Sequence, residues 1–211
     1  MSTIRSPGSG PMAKQKPILT PSPLGTLRRR VRSAARRELP ATHAAAAREL
    51  LTARPRSSWA AFHLGTALTS MARHEEALPM LRRALRTPRA NRDVVHFQIA
   101  GLYQHLGRVE LALAHYRAAA RCNPKVTWWP ILVGGLLHRL GRLRDAARWH
   151  QRATKCTGDR EEAWLNLGLV RRSQGRWRDA RTCFRRALRL SPKYPDARRA
   201  LRDVEGMLAN E

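Results

Sequence analysis

Residues 163–192 read AWLNLGLVRRSQGRWRDARTCFRRALRLSP. Gly168, Gly175, Ala180 and Ala187 interrupt two blocks in which bulky apolar side chains otherwise alternate with arginine. Glycine loops that cradle phosphates place their glycines in a strand-to-helix turn, and no strand pattern precedes this stretch. The small residues must therefore serve packing or turning, and the rest of the chain shows which.

The stretch repeats. Ala77, Ala112, Ala146 and Ala180 fall 35, 34 and 34 residues apart, and Ala84, Ala119, Ala153 and Ala187 follow the same intervals. Gly107, Gly141 and Gly175 separate two apolar-periodic segments in three units, and Ala72 takes that place in the fourth. Each unit thus reads as helix, tight turn, helix, and a helical hairpin repeated at this period is an all-α solenoid. Small residues belong where the helices of a hairpin cross and where one hairpin meets the next, because they let backbones approach.

In the last unit Trp164, Leu167, Gly168, Ala180, Phe184, Ala187 and Pro192 sit at the offsets of the tetratricopeptide repeat family, which the chain resembles over roughly two-thirds of its length. Arg171 stands where that pattern has an aromatic. Residues 93–126 supply Tyr103, Ala112, Tyr116, Ala119 and Pro124, with Ala100 for the glycine. Residues 127–160 depart further, with Pro130 at the tryptophan position, His150 at the aromatic and Gly158 at the proline. The first unit, 58–92, keeps Leu64, Gly65, Ala77, Leu81 and Ala84, and its Pro88 comes one residue early. The resemblance implies a right-handed superhelical solenoid with units at 58–92, 93–126, 127–160 and 161–194.

Both ends of such an array need covers, since each hairpin leaves an apolar face for its neighbour. Ala197, Ala200, Leu201, Val204 and Leu208 form a stripe opposite Arg198, Arg199, Arg202 and Glu205, the pattern of a capping helix within 195–211. Two helix-like segments around Pro40 make 27–57 a degenerate further hairpin. Residues 1–26 are rich in Pro, Ser and Gly and read as a disordered basic tail.

The totals set outer bounds. The 211 residues carry 41 Lys+Arg against 15 Asp+Glu, a net charge of +26 that favours any polyanionic surface. Only Lys14, Lys16, Lys125, Lys155 and Lys193 are lysine, so the excess is arginine spread over the chain; a GC-rich coding sequence produces such a skew as readily as selection for a partner does. Three cysteines form neither a CxxC pair nor a disulfide framework, so a reducing, cytoplasmic compartment is expected. Cys122 and Cys156, at equivalent repeat positions, are expected to be small buried fillers out of disulfide reach. TWWPILVGGLLH is too short to span a membrane. The N-terminal segment lacks the apolar stretch of a secretory signal, and its freedom from acids leaves organellar import as the alternative.

No HExxH, GxSxG or phosphate-loop motif occurs, and no catalytic residue, metal set or cofactor is assigned. His105 and His138 read as polar surface residues. Members of the resembled family bind peptides or helices along a concave face lined by the first helix of each hairpin. Chaperone-binding members line it with Lys, Asn and Arg that grip a carboxylate. Here those positions hold Phe62, Phe97, Ile131 and Leu165, with Thr66, Gly101, Gly135 and Leu169 four residues on, so the resemblance implies an apolar groove instead. Trp59 and Trp128 stand near its rim, and His63, Gln98 and Asn166 share a position for bonding a partner's backbone, a row that Leu132 breaks. On the second helices Arg82, Arg83, Arg86, Arg117, Arg121, Arg152, Lys155, Arg185, Arg186 and Arg189 recur as a basic band on the outer surface. The expected function is a non-enzymatic scaffold that binds a peptide or helical segment of a protein partner in the groove. The alternatives are nucleic-acid or polyanion binding through the band, and an accessory subunit docked on an envelope or polysaccharide enzyme.

Overall fold

The computed structural model describes residues 23–86 and 91–210. Its regular elements there are all helical: α1 (Pro23–Arg36), α2 (Pro40–Ala53), α3 (Ser58–Ser70), α4 (His74–Ala84), α5 (Arg92–His105), α6 (Val109–Cys122), α7 (Trp128–Arg139), α8 (Leu143–Ala153), α9 (Arg160–Ser173), α10 (Trp177–Leu190) and α11 (Pro195–Ala209). Consecutive helices pair as hairpins, α1 with α2 through α9 with α10, and α11 packs on the last. α1 opens at Pro23, inside the stretch read as tail. The remainder of that tail, residues 1–22, lies outside the described residues, as do 87–90, with Pro88, and Glu211.

The small-residue columns sit where helices cross. Ala77, Ala112, Ala146 and Ala180 are fully buried, and so are Ala84, Ala119, Ala153 and Ala187. A glycine on the first helix meets a large side chain of the second: Gly65 lies under Leu81, Gly134 under His150 and Gly168 under Phe184. A Cβ on Gly134 would stand 2.6 Å from His150 Nε2, closer than real Cβ contacts come. In the second full unit the same place holds Ala100, fully buried, opposite Tyr116.

Each hairpin turn uses one left-handed residue. Gly107, Gly141 and Gly175 have φ of +69°, +70° and +71°, and Ala72 has +57°. In the turn at Gly141, its N–H donates to His138 O at 2.9 Å and that of Arg142 to Leu137 O at 2.9 Å, which satisfies carbonyls left over at the end of α7. Glycine takes this conformation without a Cβ penalty, while Ala72 bears one.

The two departures of the 127–160 unit from the repeat pattern have physical reasons. Pro130 falls in the first turn of α7, where its missing N–H would have no helical partner anyway. Gly158 has φ +116°, which proline cannot adopt. It belongs to a clasp between the loops flanking the unit. Thr157 N–H donates to Lys125 O at 2.8 Å and Thr127 N–H to Thr157 O at 3.1 Å. The Thr127 and Thr157 hydroxyls add bonds of 2.6 Å to Thr157 O and 2.9 Å to Lys125 O.

First helices form an inner layer: α1 approaches α3, α3 approaches α5, α7 approaches α9 and α9 approaches α11. Second helices make no comparable approach to one another among the described residues, so they spread on the outer side. One contiguous core runs from Val31 to Cys183, and a second joins Leu165, Phe184 and Ala187 to Ala197, Ala200 and Val204. α11 therefore covers the open end with its apolar stripe and leaves Arg198, Arg199 and Arg202 exposed. Among the cysteines only Cys183 is a buried filler. Cys122 is exposed, because it ends the solvent side of α6, and Cys156 is half-buried with its thiol on Pro124 O.

Candidate functional site

The inner layer carries the residues expected of a groove, and packing divides them. Ile131 and Leu165 are each only 7% exposed and belong to core clusters, so they do not line a free surface. Ile131 packs with Ala153 and Ala163, and Leu165 clusters with Ala180 and Ala187. Phe62 is half-buried, edge-on to His63 at 5.4 Å between centroids. Phe97 is half-buried between Tyr116 and Trp129, at 6.1 and 5.7 Å. Trp59 lies 4.0 Å from the His63 ring, with the Arg32 guanidinium 5.9 Å from its own centroid. Trp128 is 41% exposed and is the most open aromatic of the set.

The polar row is mostly occupied. His63 Nδ1 is 3.0 Å from His43 Nε2 on α2, and burial, then His43 and Arg32, hold its pKa down at about 4. It is a neutral residue whose Nδ1 is already engaged within the fold. Thr66 donates its hydroxyl to Phe62 O at 3.0 Å, and Asn166 donates its amide to Glu162 O at 3.0 Å, both within their own helices. Gln98 keeps its amide open on the half-buried inner face. Two further features, the first at positions the sequence already placed in the groove, complete the surface. A Cβ on Gly101 or on Gly135 would meet nothing within 4 Å, so the inner face is bare backbone at both. The Cα traces of α5 and α7 stay beyond 8 Å of one another, unlike the neighbouring first helices, and Phe97 against Trp129 bridges the gap. The inner face of α3, α5 and α7 thus carries bare backbone at Gly101 and Gly135 and incompletely buried rings at Phe62, Phe97 and Trp128.

Histidine pairing was the feature missed in sequence. His96 and His115 lie 3.0 Å apart between ring nitrogens, and His74 stacks on His105 at 5.2 Å. His96 and His115 join the two helices of one hairpin, while His74 and His105 join the second helix of one hairpin to the first helix of the next. His138 bonds Ser173 Oγ at 2.9 Å. Among the described residues no three His, Cys, Asp or Glu side chains converge as metal ligands.

The outer band is less free than its repetition suggests. Arg82 donates to Tyr103 Oη at 2.6 Å, and Arg83 donates to Pro55 O. Arg152 lies over Trp149, and Arg186 over Trp164 at 4.6 Å from the ring centroid. Arg185 pairs with Glu205 at 2.8 Å. Arg117 is half-buried, and Arg86, Arg121, Lys155 and Arg189 are exposed with no ion pair among the described residues. Five of the ten band residues are thus engaged: Arg82, Arg83 and Arg185 reach a neighbouring unit, and Arg152 and Arg186 cover rings of their own units. No described helix is long and apolar enough to cross a membrane.

Tetratricopeptide repeat profiles match residues 64–127 and 161–194. No curated protein matches the chain. Solved structures do. MamA from Desulfovibrio magneticus RS-1 is 16% identical with a TM-score of 0.68, covering 82% of this chain and 97% of its own. YrrB, described as a TPR protein with an unusual peptide-binding site, is 19% identical with a TM-score of 0.64, covering 81% and 87%. PilF of Pseudomonas aeruginosa is 16% identical with a TM-score of 0.68, covering 85% and 81%. At such identities the likeness shows the fold alone.

Proposed function

Because the chain belongs to the tetratricopeptide repeat family, we propose that it is a non-enzymatic scaffold whose inner trough binds a peptide or short helix of a protein partner. The observation that carries the proposal is an inner face that leaves the indole of Trp128 exposed at the start of α7 and the backbone bare two turns on at Gly135 and at Gly101 of α5; these residues, with Phe62 and Phe97, make the trough. An apolar side chain of a partner gains contact with the ring there, and its backbone can come close where no Cβ stands. The comparison with YrrB lends support, since that protein of the same fold is described as binding a peptide. With the scaffold reading goes a cytoplasmic location, in keeping with three free thiols.

Peptides selected from a displayed random library on the full chain test it. Trp128→Ser should weaken the selected peptides by about tenfold or more while the helical circular dichroism is unchanged, because an exposed ring contributes little to folding. Binding should survive raised salt, since apolar contacts are not screened. Selected peptides that bind Trp128→Ser as well as the parent chain would refute the trough.

A further inference from the structure

Leu68, Tyr103, Leu137 and Arg171 occupy one register position near the end of the first helix, and the first three are buried. Arg171 alone puts a charge there, on the side that faces the space between second helices. Tyr103 fills its own place and takes a bond from Arg82. Around Arg171 the space stays open. Two clefts of about 890 and 570 Å³ share Gln151, Arg171 and Arg176, and together they run along α8 and α10 with α9 as their floor. Eight Arg and Lys side chains and only two carboxylates line them.

The two carboxylates are already engaged: Asp145 with Arg142 at 2.8 Å, and Asp179 with Arg176. Arg171 bonds only the neutral Gln174 Oε1 at 3.1 Å, and no described carboxylate lies within ion-pair reach of it. A half-buried guanidinium without a counter-charge, at the junction of two open clefts, is a seat for an anion, and its planar fork suits a carboxylate. Asp145 and Asp179 interrupt the positive lining, which disfavours a continuous phosphate backbone. The indole of Trp164 is capped by Arg186 and offers no stacking face to a base.

We propose that the cleft between α8 and α10 is a second docking site, for an acidic segment of a protein partner, with a carboxylate of that segment seated on Arg171. The eleven residues of α8 make a wall about 16 Å long. An extended chain covers that length with about five residues. The site is separate from the inner trough, and neither depends on the other.

Fluorescein-labelled octaglutamate, octaglutamine and decauridylate titrated into the full chain at near-physiological salt test this. Octaglutamate should bind and octaglutamine should not. Arg171→Leu, which installs the residue found at Leu68 and Leu137, should lower octaglutamate affinity by about tenfold, and so should Arg148→Gln on the exposed wall, where folding is not at issue. Arg202→Leu, an equal charge loss on α11, should change it less than about twofold. Trp128→Ser should leave octaglutamate untouched, so failure here and failure of the trough are told apart. Equal losses in the Arg171, Arg148 and Arg202 variants would reduce the effect to general attraction by a chain of +26 and overturn the site. Decauridylate binding more tightly than octaglutamate, with the same dependence on Arg171, would overturn the choice of a protein partner.

Discussion

His150→Phe should make this protein more stable, and increasingly so as the pH falls. His150 is 1% exposed, lies on Gly134, and has a buried Nδ1 without a hydrogen-bond partner. Burial, then His138, hold its pKa down at about 4, against 6.5 for a free imidazole. Phe184 occupies the same register over Gly168 and is fully buried, so a phenyl ring has a precedent in this cradle. Removing an unsatisfied buried polar group should stabilise the fold by about 1–3 kcal/mol at neutral pH. Since the folded pKa is the lower one, the unfolded chain binds the extra proton between about pH 6.5 and 4, and stability drains away as the pH falls through that window. Near pH 5 the proton adds about 2 kcal/mol to the advantage of the variant. His43, His63, His96 and His115 shift in the same direction, so the parent chain should show a slope that the variant reduces without abolishing. Melting followed by circular dichroism reads this as a shift of about 2–4 °C per kcal/mol. Parallel pH profiles of the two proteins would mean that His150 is not held neutral. A less stable variant at neutral pH would mean that the glycine cradle does not accept the larger ring.

Ala72→Gly should raise the melting temperature and Gly141→Ala should lower it, each by the equivalent of about 1 kcal/mol, because both positions hold left-handed backbone; shifts of the same sign would refute the turn argument. Gly168→Ala should cost about 1–3 kcal/mol by pushing a methyl into the Phe184 ring, measured by urea unfolding, and a neutral result would mean that the ring moves aside freely. Gly101→Ala should stabilise the helix by about 0.5–1 kcal/mol while weakening peptides bound in the trough, and tighter peptide binding would show that the bare backbone is not a floor.

The period was legible because it rests on backbone contact. Ala77, Ala112, Ala146 and Ala180 cannot be enlarged where helices cross, so the sequence displays them openly. Gly107, Gly141 and Gly175 advertise their turns in the same way. The trough was legible only in outline. Position in the repeat places Phe62, Phe97, Ile131 and Leu165 on one row, yet it does not give their burial: Ile131 and Leu165 are covered by the core while the larger rings of Phe62 and Phe97 stay half-exposed. His63 was misread for a related reason: its partner, His43, belongs to another hairpin, and a single-helix pattern cannot show it. The arginines repeated in sequence but differ in what they touch, from the Trp164 ring to Glu205.

The clasp between Thr127 and Thr157 alters how this molecule would behave as a spring. A stacked array ordinarily stretches by letting each hairpin slide a little on the next, so compliance is shared along its length. Here four hydrogen bonds tie the loop before α7 to the loop after α8, like a staple across one coil. Tension applied at the two ends would pass through that coil with little extension and concentrate in the coils on either side. On one side lie the separated traces of α5 and α7, bridged by Phe97 and Trp129. Flexing of the array would thus be felt first at the trough, which would widen or narrow while the stapled unit kept its shape.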